Sequence, residues 1–320
     1  MNKAAPSYHS YLYTFGCHED EAELCRLELR TMLGVEPRAG YVLADIPIIA
    51  SRSPFIRVKM TVQYVGEDLS SLQQQLRKIE LNGHTFKVSC LVTDEPISYD
   101  EQRSLERAAG GAIVGKAQMK EPDRLFGLAR VDGQWLFGEL ELGDSGWLSR
   151  SRKPQNYSTA LPARAARALV NLALGGTITG KKLMDPCCGM GTVLIEALTM
   201  GAEAEGIDRN PLAVRGARVN LAHYGYSTEL VKLGDMRLHS GHYDAVIVDL
   251  PYNLCSVLSS EEQLELLSSA SRYAARAVVV ATERIDEALS AAGWFILDQC
   301  ALRKGSFIRY IYILIRGENT

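Results

Sequence analysis

No apolar run in the chain approaches the roughly 20 residues that a membrane-crossing helix needs, which excludes a helical membrane protein. A secretory leader is not expected either, because only Lys3 precedes a polar, aromatic stretch at 8–13 that lacks an apolar core. The expectation is therefore a cytoplasmic protein. The seven cysteines include no CxxC pair, and the adjacent Cys187 and Cys188 sit beside glycines, so free thiols are expected rather than a disulfide framework. Cys17, His18 and Cys25 lack the spacing of a metal site, and no metal is expected. A positive excess is also missing: the formal charge is −3 at pH 7, which does not announce a nucleic-acid binder.

What is present is an ordinary globular composition, 47% hydrophobic and 23% charged, over 320 residues, enough for two domains with their own cores. The overall charge conceals a local pattern. Residues 145–184 contain no Asp or Glu but hold Arg150, Arg152, Lys153, Arg164, Arg167, Lys181 and Lys182. A second acid-free stretch holds Arg303, Lys304, Arg309 and Arg316. These read either as solvated surfaces or as phosphate-contacting patches, with Arg150, Arg152, Lys153, Arg303, Lys304 and Arg309 the candidate RNA contacts.

The first half reads as a compact α/β unit. Strands are expected at 8–15, 55–65 and 85–92, and a helix at 19–33 stopped by Gly34. Asp68 is expected to cap a helix with Leu69, Leu72, Leu76 and Ile79 on one face, Ser98 and Glu101 to open another, and Asp132-Gly133 to turn a hairpin. Its division is expected at residues 1–60 and 61–149, with a second domain over 150–320 opening on the basic, proline-containing RSRKPQNY. Beyond it a regular alternation of strands and helices implies a mostly parallel sheet with helices on both faces, closed by two strands around Gly305.

Four segments of this half carry chemistry. Asp185-Pro186-Cys187-Cys188-Gly189-Met190-Gly191-Thr192 follows a strand and opens a helix, so its glycines let backbone approach a ligand at the sheet's C-terminal edge. Leu194 stands where a dinucleotide fingerprint has its third glycine, and no Lys-Ser or Lys-Thr follows as in a phosphate loop. Asp208 ends the next strand, where a carboxylate can accept from both ribose hydroxyls. Asp235, followed by Met236, ends the third and could accept from an adenine amino group. Asp249-Leu250-Pro251-Tyr252 follows a strongly apolar strand at the same edge. An exocyclic base amine is a poor nucleophile because its lone pair is delocalised. A carboxylate at Asp249 and the Leu250 carbonyl, held extended by Pro251, could localise and aim it, and Tyr252 could stack the flipped base.

On these residues the C-terminal half resembles class I methyltransferases of the amino type, whose signature is Asp or Asn, Pro, Pro, aromatic, with Leu250 in place of the first proline. The fuller similarity is to THUMP-containing tRNA guanine-N2 methyltransferases of the position-10 type. It rests on the loop at 185–192, on Lys153-Pro154, and on the helix Ala166-Arg167-Ala168-Leu169-Val170-Asn171-Leu172-Ala173. The resemblance implies a Rossmann-like methyltransferase domain, S-adenosyl-L-methionine as cofactor, tRNA as partner, and a THUMP-like RNA-binding first half. An rRNA guanine or a DNA amino group is the alternative substrate, and a noncatalytic RNA-binding protein the alternative class. A protein partner is not indicated, and a monomer is the simplest expectation.

Overall fold

The computed structural model describes residues 11–156, 160–251 and 258–317, which fall into two compact units. The first is built from residues up to 16 together with 33–144. It opens with β1 (Tyr11–Phe15), after which the chain leaves it: helix α1 (Ala22–Leu33) lies almost wholly in the second unit. The first unit resumes with β2 (Tyr41–Ala44), β3 (Ile56–Gly66), α2 (Leu69–Leu76), β4 (Phe86–Cys90), α3 (Tyr99–Gly110), β5 (Arg124–Val131) and β6 (Gln134–Leu142). Its six strands form one sheet in the order β2-β1-β3-β6-β5-β4, antiparallel except for β4 with β5.

Local chemistry accounts for these elements. The Asp68 carboxylate accepts from Ser71 N at 2.7 Å while Ser71 Oγ accepts from Asp68 N, a capping box that starts α2 and turns Leu72 and Leu76 onto Phe86, Phe126 and Phe137. Asp132 and Gly133 both have positive φ, 50° and 81°, as a two-residue β5–β6 turn requires. The expected division at 60/61 falls inside β3, which pairs with β1 on one side and β6 on the other. The short strand β2 was not expected from the sequence.

The second unit contains α1 and, in chain order, α4 (Gly146–Arg150), α5 (Ala163–Leu174), β7 (Lys182–Asp185), α6 (Thr192–Thr199), β8 (Glu203–Asp208), α7 (Pro211–His223), β9 (Val231–Leu233), β10 (Ala245–Asp249), α8 (Ser260–Ala270), β11 (Arg276–Ala281), α9 (Asp286–Ala291), β12 (Trp294–Lys304) and β13 (Phe307–Arg316). Its seven-stranded sheet runs β12-β13-β11-β10-β7-β8-β9, parallel but for the closing strands, since β13 is antiparallel to both neighbours. The first four residues of β10 are fully buried, as a central parallel strand covered on both faces must be. Strand order reverses between β7 and β10, because the chain first winds outward to β8 and β9 and then crosses back. In open α/β sheets ligands bind at such a switch point, beyond the carboxyl ends of the strands.

Helix α1 and the residue before it, Glu21, are tied into this unit by ion pairs and a buried hydrogen bond. Arg30 forks onto both oxygens of Asp298 at 2.7 Å, Arg164 meets Glu21 at 2.6 Å, and buried Asn171 donates to buried Glu28. The residues expected in a first subdomain at 1–60 are thus shared between the two units.

Candidate active site

Asp185, Asp208 and Asp249 end β7, β8 and β10, and Asp235 follows β9 by two residues. All four line one cavity of about 580 Å³ at the switch point, together with Pro186, Cys187, Gly189, Thr192, Met236, Leu250 and Pro251. Gly191 stands at the N-cap of α6 with φ of 76°, and Gly189 has φ of 50°, left-handed conformations that favour glycine. A Cβ on Gly189 would meet nothing within 4 Å, so the loop presents bare backbone to the cavity. Tyr252 lies outside the described residues.

The loop is held from both sides. Gly189 N donates to Asp208 Oδ2 at 2.8 Å and Cys188 N to Ile207 O at 2.9 Å, locking it onto β8. Asn220 of α7, fully buried, donates from Nδ2 to Met190 O and to Gln155 O, both at 2.9 Å, and accepts from Gln155 N at 2.8 Å. Sequence reasoning missed Asn220, although an amide in an otherwise apolar helical position is a visible signal of a buried polar clamp.

Four carboxylates around one cavity set its field. Asp185 is 3% exposed and accepts from Cys187 N at 3.3 Å. Burial and the neighbouring Asp249 push its carboxyl well above the usual range. Burial pushes Asp249 up to about 7, opposed by the positive charge of Arg309. Asp208 accepts a second backbone bond from Asn210 N at 2.8 Å and keeps lone pairs for a diol. Asp235 is engaged by Arg237 at 2.6 Å, which holds its carboxyl below the usual range and narrows its capacity for another donor. Among the described residues, the one cation on the cavity wall, Arg209, pairs with Glu262 at 3.1 Å. Such a cavity attracts a cationic ligand and repels a pyrophosphate, against the dehydrogenase chemistry that Leu194 already disfavoured.

Asp249 Oδ1 is buried with no hydrogen-bond partner among the described residues. An acceptor left in that condition costs about 1–3 kcal/mol, and so marks a place that a hydrogen-bond donor can answer. The next residue explains the departure from the double-proline signature. Leu250 N donates to Val280 O at 3.0 Å, extending the β10–β11 ladder by one bond that proline could not make, and its side chain joins the core with Met236 and Leu266.

Three residues expected to contact RNA are engaged or covered within the fold. Arg150 forks onto Glu196 at 2.6 and 3.0 Å, and Arg167 adds a third bond to the same carboxylate at 3.0 Å. A glutamate 1% exposed inside an apolar helix demands this pairing. Lys153 is 6% exposed and donates to Thr192 Oγ1, and burial pushes its ammonium down to about 8. Arg309 is 5% exposed, with its guanidinium 4.7 Å from the Phe307 ring, at the Asp249 end of the sheet. Arg152 and Lys304 are exposed, and Arg303, half-exposed, lies 3.9 Å from Glu23. Two of the seven cations of the acid-free stretch, Arg150 and Arg167, are thus the partner set of Glu196, while Arg152 and Lys182 face solvent.

Comparison with known proteins places this arrangement. Residues 150–286 match the family described as UPF0020, RMKL-like, methyltransferase domain. The chain is 31% identical over 169 residues to the tRNA (guanine(10)-N2)-dimethyltransferase of Pyrococcus abyssi, covering 49% of this chain and 50% of that one. It is 26% identical over 273 residues to the enzyme of the same name from Methanothermobacter thermautotrophicus, covering 78% and 80%. The chain thus spans half the length of the first relative and four fifths of the second. Among solved structures, TrmN from Thermus thermophilus is alike in fold, with a TM-score of 0.50 at 16% identity over 96% of this chain and 99% of that one.

Proposed function

We propose, from the premise that residues 150–286 are a methyltransferase domain of the RMKL-like family, that this chain is an S-adenosylmethionine-dependent tRNA guanine-N2 methyltransferase acting at position 10. The observation that carries the reading is the unpartnered Oδ1 of Asp249 on the wall of an acidic cavity next to a glycine loop. When bound, the cofactor supplies an electrophilic methyl on a sulfonium, whose positive charge suits the four carboxylates. Asp208 is placed to receive the ribose hydroxyls, and the bare backbone at Gly189 lets the ligand approach closely.

Asp249 Oδ1 then accepts an N–H of the target amine. That bond orients the nitrogen lone pair and, with a carboxyl near 7, gives the proton released from nitrogen an acceptor at neutral pH. Stacking of the flipped guanine on Tyr252, with the Leu250 carbonyl as second acceptor, completes the proposed geometry. The first unit is assigned the docking of tRNA, in support of which the similarity to the Methanothermobacter relative extends over 273 residues, well beyond the methyltransferase domain.

The test supplies labelled cofactor with unmodified tRNA, rRNA or duplex DNA and identifies the methylated nucleoside by mass spectrometry. N2-methylguanosine in tRNA at position 10 is expected. Label in rRNA or DNA alone would transfer the reading to another amine, and cofactor binding without transfer to any of the three would support a noncatalytic RNA-binding role.

A further inference from the structure

Among the described residues, Lys153 is a buried cation without a counter-ion. Its ammonium makes one hydrogen bond, to Thr192 Oγ1, and no ion pair among the described residues. The carboxylate whose charge acts on it, Glu196, is already held by Arg150 and Arg167. Burying an ammonium is costly unless an anion answers it, and nothing described in the chain does so.

The surroundings of Lys153 show where that anion belongs. An ammonium only donates, so Thr192 Oγ1 must accept from it, and the hydroxyl proton of Thr192 is left free to be given to something else. Thr192 lines the cavity. It is also the first residue of α6, whose N-cap, Gly191, makes no side-chain capping bond, so the first backbone N–H groups of the helix add to the same positive end. At the other end of the loop stands an acid, Asp185, at the end of β7.

We propose that Lys153, acting through Thr192, receives the carboxylate of the cofactor's amino-acid end while Asp185 faces its ammonium, so that the cavity reads this end as a zwitterion. The inference rests on the cofactor reading given above and adds a positioning residue to it. Lys153 holds the Thr192 hydroxyl as a donor and supplies the charge behind it. The strap Arg150–Gln155, pinned by Glu196, Thr192 and Asn220, is then part of the cofactor site.

Two ligands separate this role from a structural one. S-adenosylhomocysteine carries the amino-acid end, whereas 5′-methylthioadenosine shares its adenosine and thioether and lacks that end. Titration calorimetry of the full chain is expected to show that Lys153→Met weakens S-adenosylhomocysteine by about ten- to a hundredfold, the loss of a charge-assisted bond, with 5′-methylthioadenosine unchanged. Lys153→Arg restores most of the difference, and Thr192→Val, which keeps the shape without the hydroxyl, reproduces the loss. Equal weakening of both ligands, or an unchanged preference in Lys153→Met and Thr192→Val, would overturn the inference and leave the cofactor reading standing. A wild-type chain that binds neither ligand would overturn both.

Discussion

Leu194 fills a space that Gly206 leaves free: a Cβ on Gly206 would lie 2.6 Å from Leu194 Cδ1 and 2.9 Å from Cys188 Cβ. The close approach of α6 to β8, which a dinucleotide fold obtains from a glycine on the helix, is obtained here from a glycine on the strand. Gly206→Val is expected to destabilise the chain by about 1–3 kcal/mol through overpacking and to loosen the cofactor loop through Cys188. Leu194→Ala in the same chain should recover part of that loss. Urea denaturation of the two single variants and the double variant measures the coupling, and strictly additive effects would contradict it.

Asp249 connects activity and stability with opposite signs. Its carboxyl is raised from 3.8 to about 7, so between those values the folded chain holds a proton that the unfolded chain has released. That contribution is fully present below pH 4 and is lost as pH rises through about 7. Asp249→Asn removes the buried charge at constant shape. It is expected to abolish methyl transfer, leave S-adenosylhomocysteine binding within about threefold of wild type, and raise the melting temperature at pH 8 by several degrees. A melting temperature that falls at pH 8 would show that the carboxylate is satisfied in the fold and not waiting for a donor.

The pH profile follows from the same group. Because the carboxylate is the form that accepts from the amine, kcat/KM should rise with pH on a limb near 7. The positive charge of Arg309 opposes the shift, so Arg309→Gln should move that limb to higher pH with cofactor affinity preserved. An unmoved limb in Arg309→Gln would assign it to another group.

Glu196 is the anchor of the Arg150–Gln155 strap. Removing one member of a buried ionic cluster is costly, and here it takes away the carboxylate that Arg150 and Arg167 share, at 16% and 10% side-chain exposure. Glu196→Ala is expected to cost about 3–5 kcal/mol in thermal or chemical unfolding. A loss below about 1 kcal/mol would place the cluster among exposed surface pairs.

The segments legible in the sequence were those where spacing alone fixes geometry. A glycine loop between an apolar strand and a helix, and an acid at successive strand ends, can lie only at one edge of a parallel sheet, and the structure brings Asp185, Asp208, Asp235 and Asp249 to that edge. The hairpin at Asp132-Gly133 and the cap at Asp68 are local in the same way. The fates of Arg150 and Lys153 were not legible from a count of charges, since such a count does not say which side of a segment faces the core. The useful signal was the lone acid Glu196 within the apolar run of α6, whose burial demands cations from elsewhere. Among the ties of α1 to the second unit, Arg30 meeting Asp298 is a pairing across 268 residues that no local pattern encodes.

The account depends on the electrophilic methyl and the Asp249 carboxylate facing each other in one cavity. A crystal structure with S-adenosylhomocysteine bound tests this most directly. The ribose is expected on Asp208, the amino-acid carboxylate toward Thr192, and the sulfur open toward Asp249 Oδ1 across a gap sized for a base amine. A ligand bound in the reverse sense, with adenine packed against Asp249, or bound outside this cavity, would contradict it.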